Sequence, residues 1–148
     1  RGVPVPKFLE QLIPSDCRFI VTERRLSGIY RELRTLNLEL YPNAISVLFR
    51  VFVELSTDAY IRRNHLPAGQ DPTLANKMKR VADDLVQKNR LTLAEAKPVR
   101  AAAQKGGWLL PLSTQMNDWL HNYHHAASPT DMRTWWDNLQ PWLTATWA

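Results

Sequence analysis

The feature that most constrains the fold is one long apolar stretch, residues 43–64, which reads NAISVLFRVFVELSTDAYIRRN. Pro42 precedes it, and proline is favoured in the first turn of a helix. Its apolar side chains would cover most of the circumference of a helix, which is typical of a helix buried on several sides. We therefore predict that residues 43–62 form the central helix of the domain.

One stripe of this predicted helix is polar. Its members recur every four residues and are Ser46, Arg50, Glu54, Asp58 and Arg62. That spacing allows an ion pair between Arg50 and Glu54. It allows a second pair between Asp58 and Arg62. The stripe has two interpretations: a narrow solvated strip, or a polar seam that faces a functional site or a partner.

Helical signals also dominate the rest of the chain. Asp71 and Ser128 are each followed by a proline and are residue types that cap a helix N-terminus. No segment shows a strand pattern of comparable strength, so we predict an all-α fold, a single domain of five or six helices packed around the helix at about 43–62. The other helices are expected at about residues 22–40, 71–88, 92–105, 113–124 and from 128 onward, where Pro141 kinks or ends the last one.

Tryptophan is unusually frequent, with six in 148 residues. Trp135, Leu139 and Trp142 follow helical spacing toward a core, and Trp136 is predicted at its edge. Tryptophans can also act as stacking platforms for single-stranded nucleic acid. Their number exceeds what one small core requires, which favours a two-fold homodimer that buries the same surface of both copies.

The first fourteen residues contain Pro4, Pro6 and Pro14, which discourage helix. We predict an extended linker over residues 1–14 and a helical domain over 15–148, cut from a longer protein. No signal peptide and no apolar run long enough to span a bilayer is evident. Cys17 is the one cysteine, so no intrachain disulfide can form. We expect a cytoplasmic protein with no membrane partner.

The chain is basic. Nineteen lysines and arginines against fourteen acidic residues give a formal charge of +5 and a pI near 9.7. Such a balance permits a polyanionic partner such as RNA or DNA without requiring one. The first predicted helix contributes Arg24, Arg25, Arg31, Glu32 and Arg34 on the face opposite its apolar positions.

Three of the four histidines lie in one segment, MNDWLHNYHHAASPTDM, residues 116–132. His121 and His125 are four residues apart, a spacing at which two imidazoles can bind zinc. A third ligand is not evident, and the chain has no Gly-rich phosphate loop and no local signature of a catalytic triad. We therefore predict neither a metal nor a cofactor. The simplest interpretation of His121 is a helix-end histidine that interacts with the helix dipole.

The pair Asn117 and His121, in a late helix that follows a long amphipathic helix and an apolar one, resembles the HEPN superfamily. These small all-α domains include RNA-cleaving toxins and parts of prokaryotic defence systems. The family motif has an arginine, a polar residue, a short spacer and a histidine, and here Met116 stands at the arginine position. Residues 40–61 and 116–143 also look like the C-terminal helical region of bacterial proteins with a ParB-like nuclease domain in front.

The resemblance implies a helical accessory module of a larger prokaryotic, defence-related protein, which pairs as a homodimer and contacts RNA or DNA. Met116 cannot stabilise the charge that develops on a phosphate, which favours a non-enzymatic role. One alternative is a metal-independent endoribonuclease in which His121 transfers the proton and Asn117 positions the substrate. Another is a structural interaction domain without nucleic acid. The residues expected to line a binding site are Arg50, Glu54, Arg62, His124 and His125.

Overall fold

Five α-helices make up the secondary structure of residues 10–67, 69, 73–103 and 128–148, which are the part of the chain that the computed structural model describes. No strand occurs in these residues, so the predicted all-α fold is confirmed. The predicted helix at 113–124 and the Gly106-Gly107 pair lie outside the described residues. The helices are α1 (Arg24–Thr35), α2 (Pro42–Arg63), α3 (Leu74–Gln87), α4 (Leu93–Ala103) and α5 (Pro129–Trp147).

The long apolar helix α2 lies at the centre, as predicted, and packs against α1, α3 and α5. Phe52 and Val53 are fully buried, whereas Val51 is partly buried against the core. The terminal helix α5 buries a comparable share of its residues, eight of nineteen against nine of twenty-two in α2. Helices α2 and α5 therefore share the core.

An aromatic cluster joins three of these helices to the segment before α1. The Phe19 ring lies 4.8 Å from that of Tyr30 and 6.4 Å from that of Trp136, and Tyr30 lies 5.7 Å from Phe52. Phe49 of α2 contacts Trp136 at 5.9 Å. These separations fall in the range that aromatic pairs favour. The cluster fixes α1 and α5 on the same part of α2.

Side chains cap the N-termini of the later helices. Ser128 accepts the backbone N–H of Asp131 at 3.1 Å, as its residue type predicted. Thr92 and Glu95 each accept the other's backbone N–H, at 3.1 and 3.0 Å, which is a capping box. The prediction that Asp71 caps α3 was wrong, because α3 begins two residues later than predicted and Thr73 is its N-cap.

The first helix ends at Thr35, five residues before the predicted end. The side chain of Asn37 accepts the backbone N–H groups of Glu39 and Leu40 at 2.9 and 3.0 Å. This local turn competes with helix formation. Leu40, predicted to lie in the helix, is 71% exposed in the turn that leads to α2.

The burial of Trp135 and Trp136 in α5 is the reverse of the prediction. Trp136 is fully buried and Trp135 only partly, because the buried stripe runs through Met132, Trp136 and Leu139. Trp136 donates its indole N–H to Gln140 at 3.0 Å, so its polar atom is satisfied. Pro141 does not end the helix, which continues to Trp147 with the proline inside it.

The folded part of the chain starts earlier than the predicted boundary at residue 15. Leu12 and Ile13, placed in the linker by their sequence context, are 2% and 0% exposed. The backbone N–H of Leu38 donates to the carbonyl of Glu10 at 2.7 Å and holds this segment on the helices. Residues 1–9 lie outside the described residues. Among the described helices, none has the length and apolar character that crossing a membrane requires.

Candidate nucleic-acid interface

The residues predicted to carry catalysis lie in residues 104–127, outside the described part of the chain. They are Asn117 and His121, and the same segment holds Met116 and the predicted binding residues His124 and His125. The structure therefore places three of the predicted binding residues, Arg50, Glu54 and Arg62, together with the charged side chains of all five helices.

The predicted pair between Arg50 and Glu54 is confirmed, with a shortest N–O distance of 3.9 Å. Arg50 is only 5% exposed, which is unusual for a charged residue. This end of the polar stripe therefore belongs to the core rather than to a solvated strip.

The predicted pair between Asp58 and Arg62 was wrong. Asp58 accepts a hydrogen bond from the Lys77 ammonium of α3 at 2.7 Å, and Arg62 pairs with Glu23 at the start of α1. The reason is helix geometry, since residues four apart advance by about 40° beyond a full turn. From Ser46 to Arg62 the stripe rotates by roughly 160°, so its members face different neighbours.

The stripe residues therefore do not converge on one site. Arg50, Asp58 and Arg62 each meet a different carboxylate or ammonium group, and Arg62 is mostly exposed. The stripe links α2 to α1 and α3 by ion pairs that neutralise its charges. This arrangement does not support the prediction that Arg50, Glu54 and Arg62 line a common binding surface.

Further ion pairs neutralise cations on α3, α4 and α5. Lys88 lies 2.7 Å from Asp84, Arg100 lies 2.5 Å from Asp83, and Arg133 of α5 lies 3.5 Å from Glu39 in the turn before α2. Exposed pairs of this kind contribute little to stability. They do reduce the positive potential of the surface around them.

The outer face of α1 is different. Arg24, Arg25 and Arg31 are exposed, and no carboxylate of the described residues lies within 4.0 Å of their guanidinium nitrogens. The helix carries four arginines against one acidic residue, Glu32. Among the described residues, α1 therefore carries three exposed arginines without a carboxylate partner, whereas Lys77, Arg100 and Arg133 on other helices are paired.

The register of α1 explains why these arginines face outward. Leu26, Ile29, Tyr30 and Leu33 are its buried residues, so the side that holds Arg24, Ser27, Gly28 and Arg31 faces away from the core. Arg24 and Arg31 are seven residues apart, about 10.5 Å along the axis. We call the surface formed by Arg24, Arg25, Ser27, Gly28, Arg31 and Glu32 the α1 face.

Two more arginines extend the α1 face toward the segment that precedes the helix. The guanidinium of Arg34 lies over the Tyr30 ring, 5.5 Å from its centroid, and donates to the carbonyl of Ser15 at 3.4 Å. Arg18 donates to the same carbonyl at 3.4 Å and is exposed. The positive surface therefore spans α1 and the loop beside it.

Buried hydrogen bonds hold α1 in place beneath this face. The Tyr30 hydroxyl donates to the carbonyl of Cys17 at 3.1 Å and accepts the backbone N–H of Phe19 at 3.4 Å. Burial raises the pKa of Tyr30 above its ordinary value, so the hydroxyl stays protonated and remains a donor. The arginines are thus presented on a rigid helix.

Three kinds of functional group on the described residues can be compared: the thiol, the potential metal ligands and the arginines. Burial, with a contribution from Asp16, raises the pKa of the Cys17 thiol to about 11, which makes it a poor nucleophile. Among the described residues, no group of three or more His, Cys, Asp or Glu side chains is arranged to hold a metal ion. Arginines without carboxylate partners, in contrast, are suited to contacts with phosphate oxygens.

The sequence placed the α1 arginines on an outer face but did not single them out as a site. A signal was present, because no acidic residue lies three or four positions from Arg24, Arg25 or Arg31. Such neighbours would have formed ion pairs within the helix. Cations that lack them are available to an outside partner unless another element supplies a carboxylate.

Comparison with known proteins identifies no relative that could assign this surface. No protein-family model, no curated protein and no solved structure matches the chain.

Proposed function

We propose that this chain is a helical accessory module of a larger prokaryotic protein, which contacts nucleic acid through the α1 face. The observation that carries the proposal is the exposure of Arg24, Arg25 and Arg31 with no carboxylate of the described residues within 4.0 Å, whereas six other described cations form ion pairs. Positive charges close together repel one another, so the fold itself gains nothing from this cluster. Phosphates would neutralise it and release counterions.

The composition of the α1 face favours nucleic acid over a membrane surface. Helices that lie on membranes insert an apolar face between the lipids. The apolar face of α1 is already buried against the core through Leu26, Ile29 and Leu33. The α1 face itself consists of three arginines, a serine, a glycine and one glutamate, Glu32. It therefore suits a charged backbone that is bound without insertion of apolar side chains.

The direct test compares two charge-matched double variants in binding to a fluorescent nucleic acid. Replacing Arg24 and Arg31 by glutamine should weaken binding by about tenfold or more at low salt, since two phosphate contacts are lost. The matched control replaces Arg62 and Arg100 by glutamine, which removes the same charge from ion-paired positions. Equal losses in both variants would contradict a specific role for the α1 face.

Two other parts of the proposal rest on the resemblance to HEPN domains. Three of the four described tryptophans are buried within the chain, so tryptophan abundance alone no longer argues for a homodimer. Sedimentation over a wide concentration range tests pairing, and a monomer throughout would contradict it. The ribonuclease alternative depends on Asn117 and His121, and cleavage of RNA in the presence of a chelator that is lost in His121→Ala would establish it over an accessory role.

A further inference from the structure

The fold does not require a glycine at position 28. Gly28 lies inside the twelve-residue helix α1, where glycine is among the least favourable residues. It does not have the positive φ that favours glycine. A Cβ atom at this position would meet no atom of the described chain within 4 Å. Neither backbone conformation nor packing within the described chain therefore explains the missing side chain.

Gly28 lies in the middle of the α1 face. Arg24 is one turn before it, Arg31 and Glu32 are about one turn after it, and the small side chain of Ser27 is adjacent. A glycine in a regular element is expected where another backbone or a ligand approaches closely. Three exposed arginines against one exposed glutamate on this face favour an approaching molecule that is negatively charged.

We infer that Gly28 is the point of closest approach between α1 and the backbone of a nucleic-acid duplex, with Arg24 and Arg31 contacting phosphates on either side of it. This inference rests on the proposed function and specifies its ligand. The two arginines lie about 10.5 Å apart along the axis. Between them on this face lie Ser27, which has a small side chain, and Gly28, which has none. A phosphate backbone can therefore lie against the helix itself.

One observation favours a duplex over a single strand. Proteins that bind single strands stack the bases on aromatic side chains. The α1 face has none, and the nearest aromatic rings, Phe19 and Tyr30, pack against each other at 4.8 Å. Contacts with phosphates position a protein without reading sequence, so binding should tolerate any sequence.

The experiment adds a side chain at Gly28 without removing charge. Gly28→Gln should weaken binding to a 20-base-pair RNA or DNA duplex by about tenfold, a loss comparable to one good contact. Glutamine is a better helix former than glycine, so thermal unfolding should occur at the same or a higher temperature. Gly28→Ala should give a smaller loss. The matched control is Thr144→Gln, which enlarges an exposed side chain of α5 and should leave binding unchanged.

The results separate this inference from the proposed function. Suppose Gly28→Gln binds the duplex as tightly as the wild type while the Arg24 and Arg31 variant binds more weakly. The inference about Gly28 would then be wrong, whereas the proposed binding through the α1 face would be supported. Tighter binding of a single strand than of a duplex with equal charge would contradict the inference that the ligand is a duplex. The RNA and DNA arms show which backbone is preferred. If the wild type binds no nucleic acid in a salt-dependent way, the proposed function fails and the inference fails with it.

Discussion

At the scale of single residues, Asp84 is the acidic side chain with the strongest set of contacts. The hydroxyl of Tyr60 donates to its carboxylate at 2.5 Å, and the Lys88 ammonium lies 2.7 Å from the same oxygen. Desolvation works to raise the pKa of Asp84, but the hydrogen bonds from Lys88 and Tyr60 outweigh it and hold that pKa below its ordinary value. Asp84 therefore joins α2 to α3 as a carboxylate.

Replacing Asp84 by asparagine should lower the free energy of unfolding at pH 7 by roughly 1–3 kcal/mol, because charge-assisted hydrogen bonds are lost in a mostly buried place. A carboxyl group with a lowered pKa in the folded state stabilises the protein above its unfolded pKa of about 3.9, and this contribution disappears as the pH falls through the folded value. Urea unfolding at pH 7 and pH 3 measures the change. The difference between wild type and Asp84→Asn should shrink at pH 3.

The neighbouring residue provides the control. Asp83→Asn removes a carboxylate that is 64% exposed and pairs with Arg100, so it should change stability by well under 1 kcal/mol. Equal effects of the two substitutions, or a difference for Asp84 that does not depend on pH, would contradict this role.

A second residue-scale prediction concerns the single thiol. Burial raises the pKa of Cys17 to about 11 from an ordinary value of 9.0. At pH 8 the folded protein should therefore contain about a hundredfold less thiolate than an exposed cysteine, and limited access should slow its reaction further. Because the unfolded thiol ionises first, stability should fall as the pH rises from 9 to 11. Fast reaction with a thiol reagent in the absence of urea would contradict the buried position.

At the scale of elements, α2 was the most predictable part of the fold. Its length and apolar periodicity indicated a helix that other helices must surround. The end of α1 was less predictable, because the turn that stops it depends on the side chain of Asn37 and not on a glycine or proline. The pairing of the polar stripe was also less predictable. Which carboxylate meets Lys77 or Arg62 depends on the positions of α3 and α1, and these positions are a property of the whole packing.

Neighbouring residues of α2 test its central position. Phe52 is fully buried against Phe19 and Tyr30, so Phe52→Ala should lower the free energy of unfolding by roughly 3–5 kcal/mol. That loss is a large part of the total stability of a typical domain. Val51→Ala is the matched control and should cost less, since Val51 is only partly buried. Denaturant unfolding of both variants would contradict the described packing if Val51→Ala were the more damaging change.

At the scale of the whole molecule, the distribution of charge matters more than its total. The formal charge of +5 permitted a polyanionic partner but indicated no place for it. Packing indicates the place, because it brings Lys77, Arg100 and Arg62 to carboxylates and leaves Arg24, Arg25 and Arg31 with no described carboxylate within 4.0 Å. The outward orientation of these arginines could be predicted from helical spacing, whereas the absence of ion pairs to other described elements could not. The predicted site at Asn117 and His121 lies outside the described residues and stays a prediction.

The most direct test of the central claim is the salt dependence of duplex binding. The slope of log K against log salt concentration falls by about 0.9 for each phosphate contact removed. Replacing Arg24 and Arg31 by glutamine should therefore reduce the slope by about two, whereas the charge-matched replacement of Arg62 and Arg100 should leave it nearly unchanged. Equal slopes for the wild type and the Arg24 and Arg31 variant would contradict the claim that the α1 face binds nucleic acid.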